Sequence, residues 1–96
     1  MIVFSSKFDK SLEEIRVYIT LKDGETRYEN FANELFRSIN NIEFMPRKHR
    51  KNLQVNQENI RDLIFKGYTV PFQILENGDI FIITIFKQNQ WDGKIN

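Results

Sequence analysis

The sequence predicts an α+β fold in which an N-terminal strand and an antiparallel helix hairpin pack on a mainly antiparallel sheet. A C-terminal three-stranded meander completes that sheet. Two observations predict it: apolar residues recur at helical spacing between residues 8 and 42, and from residue 60 they form runs rich in β-branched and aromatic side chains. The chain has 96 residues, 41% hydrophobic with nine Phe, which predicts a single domain over 1–96 around one core.

The first half of the chain begins with a strand and a helix. Residues 1–4 form a short apolar run, and Ser5 and Ser6 follow with hydroxyls that can cap a helix. Ser6 with Asp9 also forms a weak variant of the capping box. A helix over about 7–21 is predicted by apolar residues spaced by four, three and four positions, namely Phe8, Leu12, Ile15 and Ile19.

A second helix is predicted after the polar break at 22–25. Thr26 and Glu29 have the spacing of a reciprocal cap, and Pro46 excludes a long continuation. Apolar residues recur at helical spacing in between, namely Tyr28, Phe31, Ala32, Leu35, Phe36, Ile39 and Ile42. Two helices joined by so short a loop form an antiparallel hairpin.

Three strands are predicted in the second half, over about 60–65, 68–75 and 80–87. Asn77 and Gly78 both accept the positive φ of a type I′ hairpin turn. In the middle strand, four alternate residues share one face that can pack on the helices, namely Tyr68, Val70, Phe72 and Ile74. Pro71 cannot donate to a ladder, so either its amide position faces an open edge or a bulge lies there.

Charge is distributed unevenly along the chain. The net charge of +1 is too small for bulk attraction to nucleic acid. Residues 1–46 carry six basic and eight acidic side chains, net −2, whereas 47–96 carry eight and five, net +3. The run 47–51 places four positive charges in five residues around His49, which we expect at the surface, and a polar stretch follows at 52–59. This segment is predicted to be a loop or a short helical turn. An electrostatic binding face is therefore expected in the second half, although such a run can also be merely solvated.

Several function classes are excluded by composition. There is no Cys and only one His, so we predict neither a disulfide framework, a metal site nor a cofactor. The N-terminus lacks the features of a signal peptide, and no apolar stretch approaches ~18 residues. The sequence predicts a cytoplasmic protein without a membrane partner. The tail over 88–96 is polar except for Trp91 and Ile95, and we expect it to fray.

Segments 59–74 and 79–86 resemble the RelE/ParE superfamily of toxins. The matching residues are Arg61 early in one strand, Gly67 and Tyr68 opening the next, Phe72 four residues later, and the hydrophobic last strand. The segment 44–47 is similar to the family's helix-ending proline and basic stretch. The resemblance covers nearly the whole chain. It implies the toxin component of a bacterial type II toxin–antitoxin system, which inhibits growth or stabilises plasmids and is neutralised by a cognate antitoxin.

The superfamily contains ribosome-dependent mRNA interferases and ParE-like poisons of DNA gyrase. RelE-like nucleases carry basic side chains where this sequence has Thr69 and Gln88, and the tail lacks the His-Tyr ending of another interferase branch. These departures favour a non-enzymatic, ParE-like toxin directed at gyrase. An mRNA interferase acting on the ribosome with an atypical basic site at Arg61, Lys66 and Lys87 stays open, as does a non-toxic interaction module.

The predicted target- or antitoxin-binding residues are Arg47, Lys48, Arg50, Lys51, Arg61, Lys66, Lys87 and Trp91. Arg61 has an equally good structural interpretation as a sheet residue paired near Glu58. For Trp91, packing at the edge of the core is favoured over stacking on a base. Five aromatic residues at helix or strand spacing are predicted to be core, namely Phe31, Phe36, Phe65, Phe72 and Phe81.

Overall fold

The computed structural model describes residues 1–87 and 91–95 and contains one five-stranded mixed sheet. Its strands are β1 (Ile2–Phe4), β2 (Arg50–Lys51), β3 (Ile60–Phe65), β4 (Tyr68–Ile74) and β5 (Ile80–Ile82). They lie in the order β1-β5-β4-β3-β2. β1 pairs with β5 in parallel, and the remaining neighbours are antiparallel. The predicted α+β class, the N-terminal strand and the C-terminal meander are confirmed.

Two helices, α1 (Ser6–Asp23) and α2 (Glu25–Asn40), form the predicted hairpin. Ser5 caps α1, because its Oγ accepts a hydrogen bond from the Phe8 amide at 2.9 Å. The predicted box of Ser6 is not formed, since Ser6 is already inside the helix. None of the described helices combines the length and apolar character needed to cross a bilayer.

Gly24 alone separates the two helices. Its φ of 93° lies in the region that favours glycine, and its amide donates to the Thr20 carbonyl at 3.0 Å. One residue therefore ends α1 and precedes α2. The predicted reciprocal cap of Thr26 and Glu29 is wrong, because both residues lie within α2.

The segment between the helices and the main strands is more ordered than predicted. Two short 3₁₀ turns, Asn41–Phe44 and Pro46–Lys48, follow α2. The basic run then ends in the edge strand β2, which the sequence did not predict. Its residues Arg50 and Lys51 pair with Asp62 and Arg61 of β3. β3 is therefore covered on its outer side.

β5 is shorter than the strand predicted over 80–87 because a bulge interrupts its pairing with β4. Phe72 pairs with Ile82, but Thr69 pairs with Phe86, so the three residues 83–85 stand opposite two residues of β4. The Ile83 amide donates to the Pro71 carbonyl at 3.0 Å. Pro71 has no amide hydrogen to donate in return, so the regular ladder of hydrogen bonds between β4 and β5 is interrupted there. Of the two alternatives at Pro71, the bulge is the one observed.

The main core lies between the helices and one face of the sheet. Its buried members include Phe8, Phe31, Leu35, Ile39, Ile42, Leu63, Phe65, Val70, Phe72, Ile74, Ile80, Ile82 and Ile85, and Phe36 and Tyr68 pack against it. The shared face predicted for β4 and the core positions predicted for the helix and strand phenylalanines are confirmed, Phe36 and Phe81 being partly buried.

A second cluster lies on the other face of the sheet, which we call the distal face. It contains Ile60, Ile83 and Trp91, with Val55, Phe81, Phe86 and Ile95 packed against it. Trp91 is only 6% exposed, stacks on Phe86 and donates from Nε1 to the Lys94 carbonyl at 3.0 Å. The described part of the predicted frayed tail thus lies against the sheet, with Trp91 packed as the sequence analysis favoured.

Arg61 and His49 tie the 3₁₀ segment to the sheet. The Arg61 guanidinium donates to the carbonyls of His49 and Glu58 at 3.1 Å each and of Arg47 at 3.4 Å, and its side chain is only 12% exposed. The His49 ring meets Phe72 edge-on at 5.5 Å. Arg61 also forms an ion pair with Glu58, the structural role that the sequence left open. The expectation that His49 is a surface residue is corrected, because its ring packs against Phe72.

We expect Arg61→Ala to lower the free energy of unfolding by about 1–3 kcal/mol, because three backbone carbonyl groups lose the same donor side chain. Arg61→Lys keeps the charge but not the fork that spans three carbonyls, so it should recover only part of the loss. Urea denaturation measures both. Arg27→Ala, at an exposed position of α2, is the control and should change stability by no more than about 0.5 kcal/mol; an equally small change in Arg61→Ala contradicts the structural role.

Acidification should destabilise the protein through His49. Burial, and secondarily the charge of Lys48, hold the pKa of His49 below its ordinary 6.5. The folded state therefore favours neutral imidazole, so its contribution is fully present above pH 6.5 and is lost as pH falls through the folded pKa. Urea midpoints between about pH 8 and about pH 5 should fall for the wild type and stay flatter for His49→Leu. Parallel curves for the two proteins contradict this assignment.

Candidate functional site

The predicted binding residues lie in separate places. Lys66, in the turn between β3 and β4, forms an ion pair with Glu34 of α2. Lys87 follows the bulge, with its Nζ 5.5 Å from the centre of the Tyr68 ring. Arg61 and Lys66 are five residues apart along one extended strand, about 16 Å. The structure therefore does not bring Arg61 together with the two lysines.

A groove of about 600 Å³ lies between α1 and the end of the sheet. Its walls are Lys7, Lys10, Ser11, Glu14, Ile15 and Tyr18 of α1, Tyr68 of β4, Thr84, Ile85, Phe86 and Lys87 after β5, and Trp91 and Asp92 of the tail. The groove exists because α1 is only partly covered. Phe8 is its one fully buried residue, whereas Ile15 is half-buried and Tyr18 is 58% exposed.

The groove is lined by three lysines and two carboxylates, Glu14 and Asp92, which leaves a small positive excess. Lys7 is held by Asp92 at 3.4 Å. Lys10 and Lys87 have no carboxylate within ion-pair distance among the residues that the structure describes. Two of these lysines come from the first half of the chain, although the charge distribution directed attention to the second. Their spacing of three along one helix face was the signal available in the sequence.

Tyr68 lines the groove beside Tyr18. Burial raises the pKa of the Tyr68 phenol, and the neighbouring Tyr18 raises it further. Tyr68 therefore stays protonated near neutral pH and can donate a hydrogen bond but not act as a base. At the floor, the hydroxyls of Ser11 and Thr84 are 3.2 Å apart. The groove thus offers apolar and aromatic contact area with a few donors, as binding clefts commonly do.

A smaller cavity of about 210 Å³ lies on the distal face, and we call it the distal cavity. It is lined by Arg50, Asn52, Leu53, Gln54, Asp62, Thr69 and Phe86. Asp62, 4% exposed, accepts from Asn52 Nδ2 at 2.7 Å and from Arg50 Nε at 3.2 Å. Arg50 was predicted from the sequence as a binding residue, but Asp62 and Asn52 were not. A carboxylate among the apolar residues of β3 was the signal for Asp62.

The sequence departs from RelE-like nucleases at Thr69 and Gln88, and only Thr69 belongs to the residues that the structure describes. Thr69 lies in the distal cavity, opposite Ile64 on β3 and bridged through its backbone to Phe86. Gln88 lies outside the described residues. No basic side chain stands at Thr69 itself, but the guanidinium of Arg50 reaches the same cavity.

His49, the one imidazole of the sequence, lines neither the groove nor the distal cavity. His49 Nε2 is buried against the core and has no hydrogen-bond partner among the described residues. Within residues 1–87 and 91–95, no group of three or more His, Asp or Glu side chains is placed to hold a metal ion. The described residues instead present two binding surfaces, the groove on the helix side and the distal cavity beside β2.

Comparison with known proteins agrees with this architecture. The family described as ParE toxin of type II toxin–antitoxin system, parDE, matches residues 2–90. No curated protein matches the chain. A solved structure from P. aeruginosa, described as a chromosomal ParDE TA system, superposes with a TM-score of 0.73 at 12% identity, covering 90% of this chain and 92% of that one.

The structural match shows a shared fold, because 12% identity is too low to carry function. The match to the family in sequence shows membership of the family, since it extends over nearly the whole chain, including the strands and helices that build the groove. Fold, sequence and the resemblance of segments 59–74 and 79–86 therefore agree. The chain belongs to the ParE toxin family of type II toxin–antitoxin systems.

Proposed function

We propose that this toxin arrests bacterial growth by binding DNA gyrase in the cytoplasm, and that a cognate antitoxin neutralises it by occupying the groove. On a plasmid, such a pair favours inheritance of the plasmid. The observation that carries the proposal is the separation of Arg61 and Lys66 from Lys87, the three basic residues that would form an atypical interferase site. The guanidinium of Arg61 donates hydrogen bonds to backbone carbonyls, and Lys66 forms an ion pair with Glu34.

Cleavage of RNA requires a group that removes the proton of the attacking hydroxyl and donors that stabilise the developing phosphate charge. His49 is packed edge-on against Phe72, and the raised pKa of Tyr68 keeps its phenol protonated near neutral pH, so that it does not take up the hydroxyl proton. Binding to a target needs only complementary surface. A non-enzymatic toxin therefore accounts for the described geometry better than an mRNA interferase.

The residues that line the groove indicate what kind of antitoxin segment fits it. Its apolar walls, including Ile15, Tyr18 and Ile85, suit the apolar face of a helical or extended peptide. Lys10 and Lys87 at the rim suit acidic side chains on the same peptide. We infer that the antitoxin presents an amphipathic, acidic segment to this groove.

Induction of the toxin in bacteria should arrest growth, and co-expression of the cognate antitoxin should relieve the arrest. Purified toxin should inhibit supercoiling by gyrase and leave mRNA intact in translating ribosomes, because the proposed action is binding. Supercoiling assays and primer extension measure the two activities separately. Codon-specific cleavage with unaffected gyrase assigns the ribosome as the target. Unimpaired growth at high soluble expression contradicts the toxin function itself.

Tyr18→Asp should weaken binding of the antitoxin by about tenfold or more, a loss of about 1.4 kcal/mol. The substitution places a negative charge on an apolar wall that we expect to meet an acidic peptide. Phe44→Asp is the matched control, because Phe44 is also a solvent-exposed aromatic residue, 85% exposed, but does not line the groove. Titration calorimetry measures both affinities. Equal losses in the two variants, or none in Tyr18→Asp, exclude the groove as the antitoxin site.

A further inference from the structure

We propose that Arg50 forms a phosphate-binding subsite in the distal cavity, which takes a phosphodiester group of a nucleic acid. Asp62 and Asn52 act as positioning residues that hold the Arg50 guanidinium. The inference rests on the proposed function in one respect: the nucleic acid is that of the target, DNA held by gyrase or, if the ribosome is the target, mRNA. Both share the phosphodiester chemistry.

Asp62 is an unusual residue for its position. It is 4% exposed and lies in β3 between residues of the apolar sheet. A buried carboxylate is strongly destabilising unless hydrogen-bond donors surround it. Asn52 satisfies one oxygen at 2.7 Å and Arg50 the other at 3.2 Å. Asn52 is itself fixed, because it is 3% exposed and its Oδ1 accepts from the Val55 amide at 2.8 Å.

The contact between Arg50 and Asp62 is asymmetric. The Arg50 side chain is 62% exposed whereas that of Asp62 is 4% exposed. The hydrogen bond uses Arg50 Nε, and the two terminal nitrogens donate to none of the residues that the structure describes. A guanidinium anchored at Nε with both terminal nitrogens free presents a fixed fork to an oxyanion. Less side-chain entropy is lost on binding than for a freely rotating surface arginine.

Strand alternation selects Arg50 from the basic run. Arg50 pairs with Asp62 and so faces the distal side of the sheet, whereas Lys51 pairs with Arg61 and faces the helix side. Arg47 and Lys48 lie in the preceding 3₁₀ turn. Arg50 is thus the member of the run that enters the distal cavity.

A phosphodiester fits the cavity better than a carboxylate of a protein partner. The half-buried ring of Phe86 and the hydroxyl of Thr69 line the cavity together with Arg50. An aromatic face beside an anion site suits a nucleotide, which carries a base next to its phosphate. Two further cations of the run, Arg47 and Lys48, are exposed in the 3₁₀ turn that precedes Arg50, although Arg47 lies 3.9 Å from Glu58.

The test is fluorescence anisotropy of labelled nucleic acids with purified toxin. Mixed-sequence duplex DNA of about 20 base pairs and single-stranded RNA of about 20 nucleotides are titrated at low and physiological salt. The informative variants are Arg50→Lys, which keeps the charge and loses the fork, and Asp62→Asn, which frees the guanidinium and adds one positive charge to the protein. Arg27→Lys, at an exposed site on α2, is the matched control.

We expect Arg50→Lys and Asp62→Asn each to weaken binding about fivefold or more, and Arg27→Lys to change it by less than about twofold. The loss in Asp62→Asn is the sharper result, because a surface that attracts phosphate by charge alone binds more tightly after this substitution. No binding by the wild type at low salt, unchanged affinity in Arg50→Lys, or tighter binding in Asp62→Asn overturns the proposal. If Asp62→Asn does not fold, Arg50→Lys decides by itself.

The two nucleic acids distinguish the source of the phosphate. Preference for duplex DNA supports the subsite at gyrase, and preference for RNA supports the subsite and moves the target to the ribosome. The experiments also distinguish failure of the phosphate-binding subsite from failure of the proposed function. A toxin that inhibits gyrase but binds nucleic acid independently of Arg50 overturns only the subsite, whereas Arg50-dependent binding by a harmless protein overturns only the toxin function.

Discussion

The missing amide of Pro71 is the constraint on which both surfaces of this toxin depend. Pro71 occupies the central strand β4, so the strand beside it cannot continue a regular ladder. The bulge at 83–85 follows, and pairing resumes only at Phe86. Because of the bulge, Ile83 packs in the distal cluster while Ile85 joins the main core. The residues around the bulge then form the floor of the groove and one wall of the distal cavity.

The two surfaces meet at the end of the sheet. The groove lies between α1 and that end and includes Trp91 of the tail, whereas the distal cavity lies beside β2 on the distal face. Phe86 lines both. One aromatic side chain is therefore shared by the two concave surfaces.

Formal charge is a poor measure of available charge here. The basic run and the other cations of the second half look alike in the sequence, but they have different roles in the structure. Arg61 is internal and holds three carbonyls, Lys66 is paired with an acid of α2, and Arg50 is anchored at one nitrogen with two left free. The role of each cation depends on how the neighbouring strand covers it, and the sequence did not predict the strand β2.

The sequence by itself determined the α+β class, the helix hairpin, the strand order along the chain and the family, because these follow from apolar periodicity, from Gly and Pro positions and from the resemblance of 59–74 and 79–86. Local chemistry is enough for such features. It also left the correct alternative open at Pro71. The cap of α2 was misplaced, because T-x-x-E spacing competes with the single-residue turn at Gly24.

Only the tertiary structure decided the roles of Arg61, His49, Asp62 and the lysines of α1. Each depends on contacts between residues far apart in sequence: His49 on Phe72, and the groove on α1 meeting the end of the sheet. The two-residue strand β2 exists because β3 offers it an edge, not because its own residues favour extended structure. Burial and pairing are properties of the assembled sheet, so no local pattern in the sequence could reveal which cations stay free.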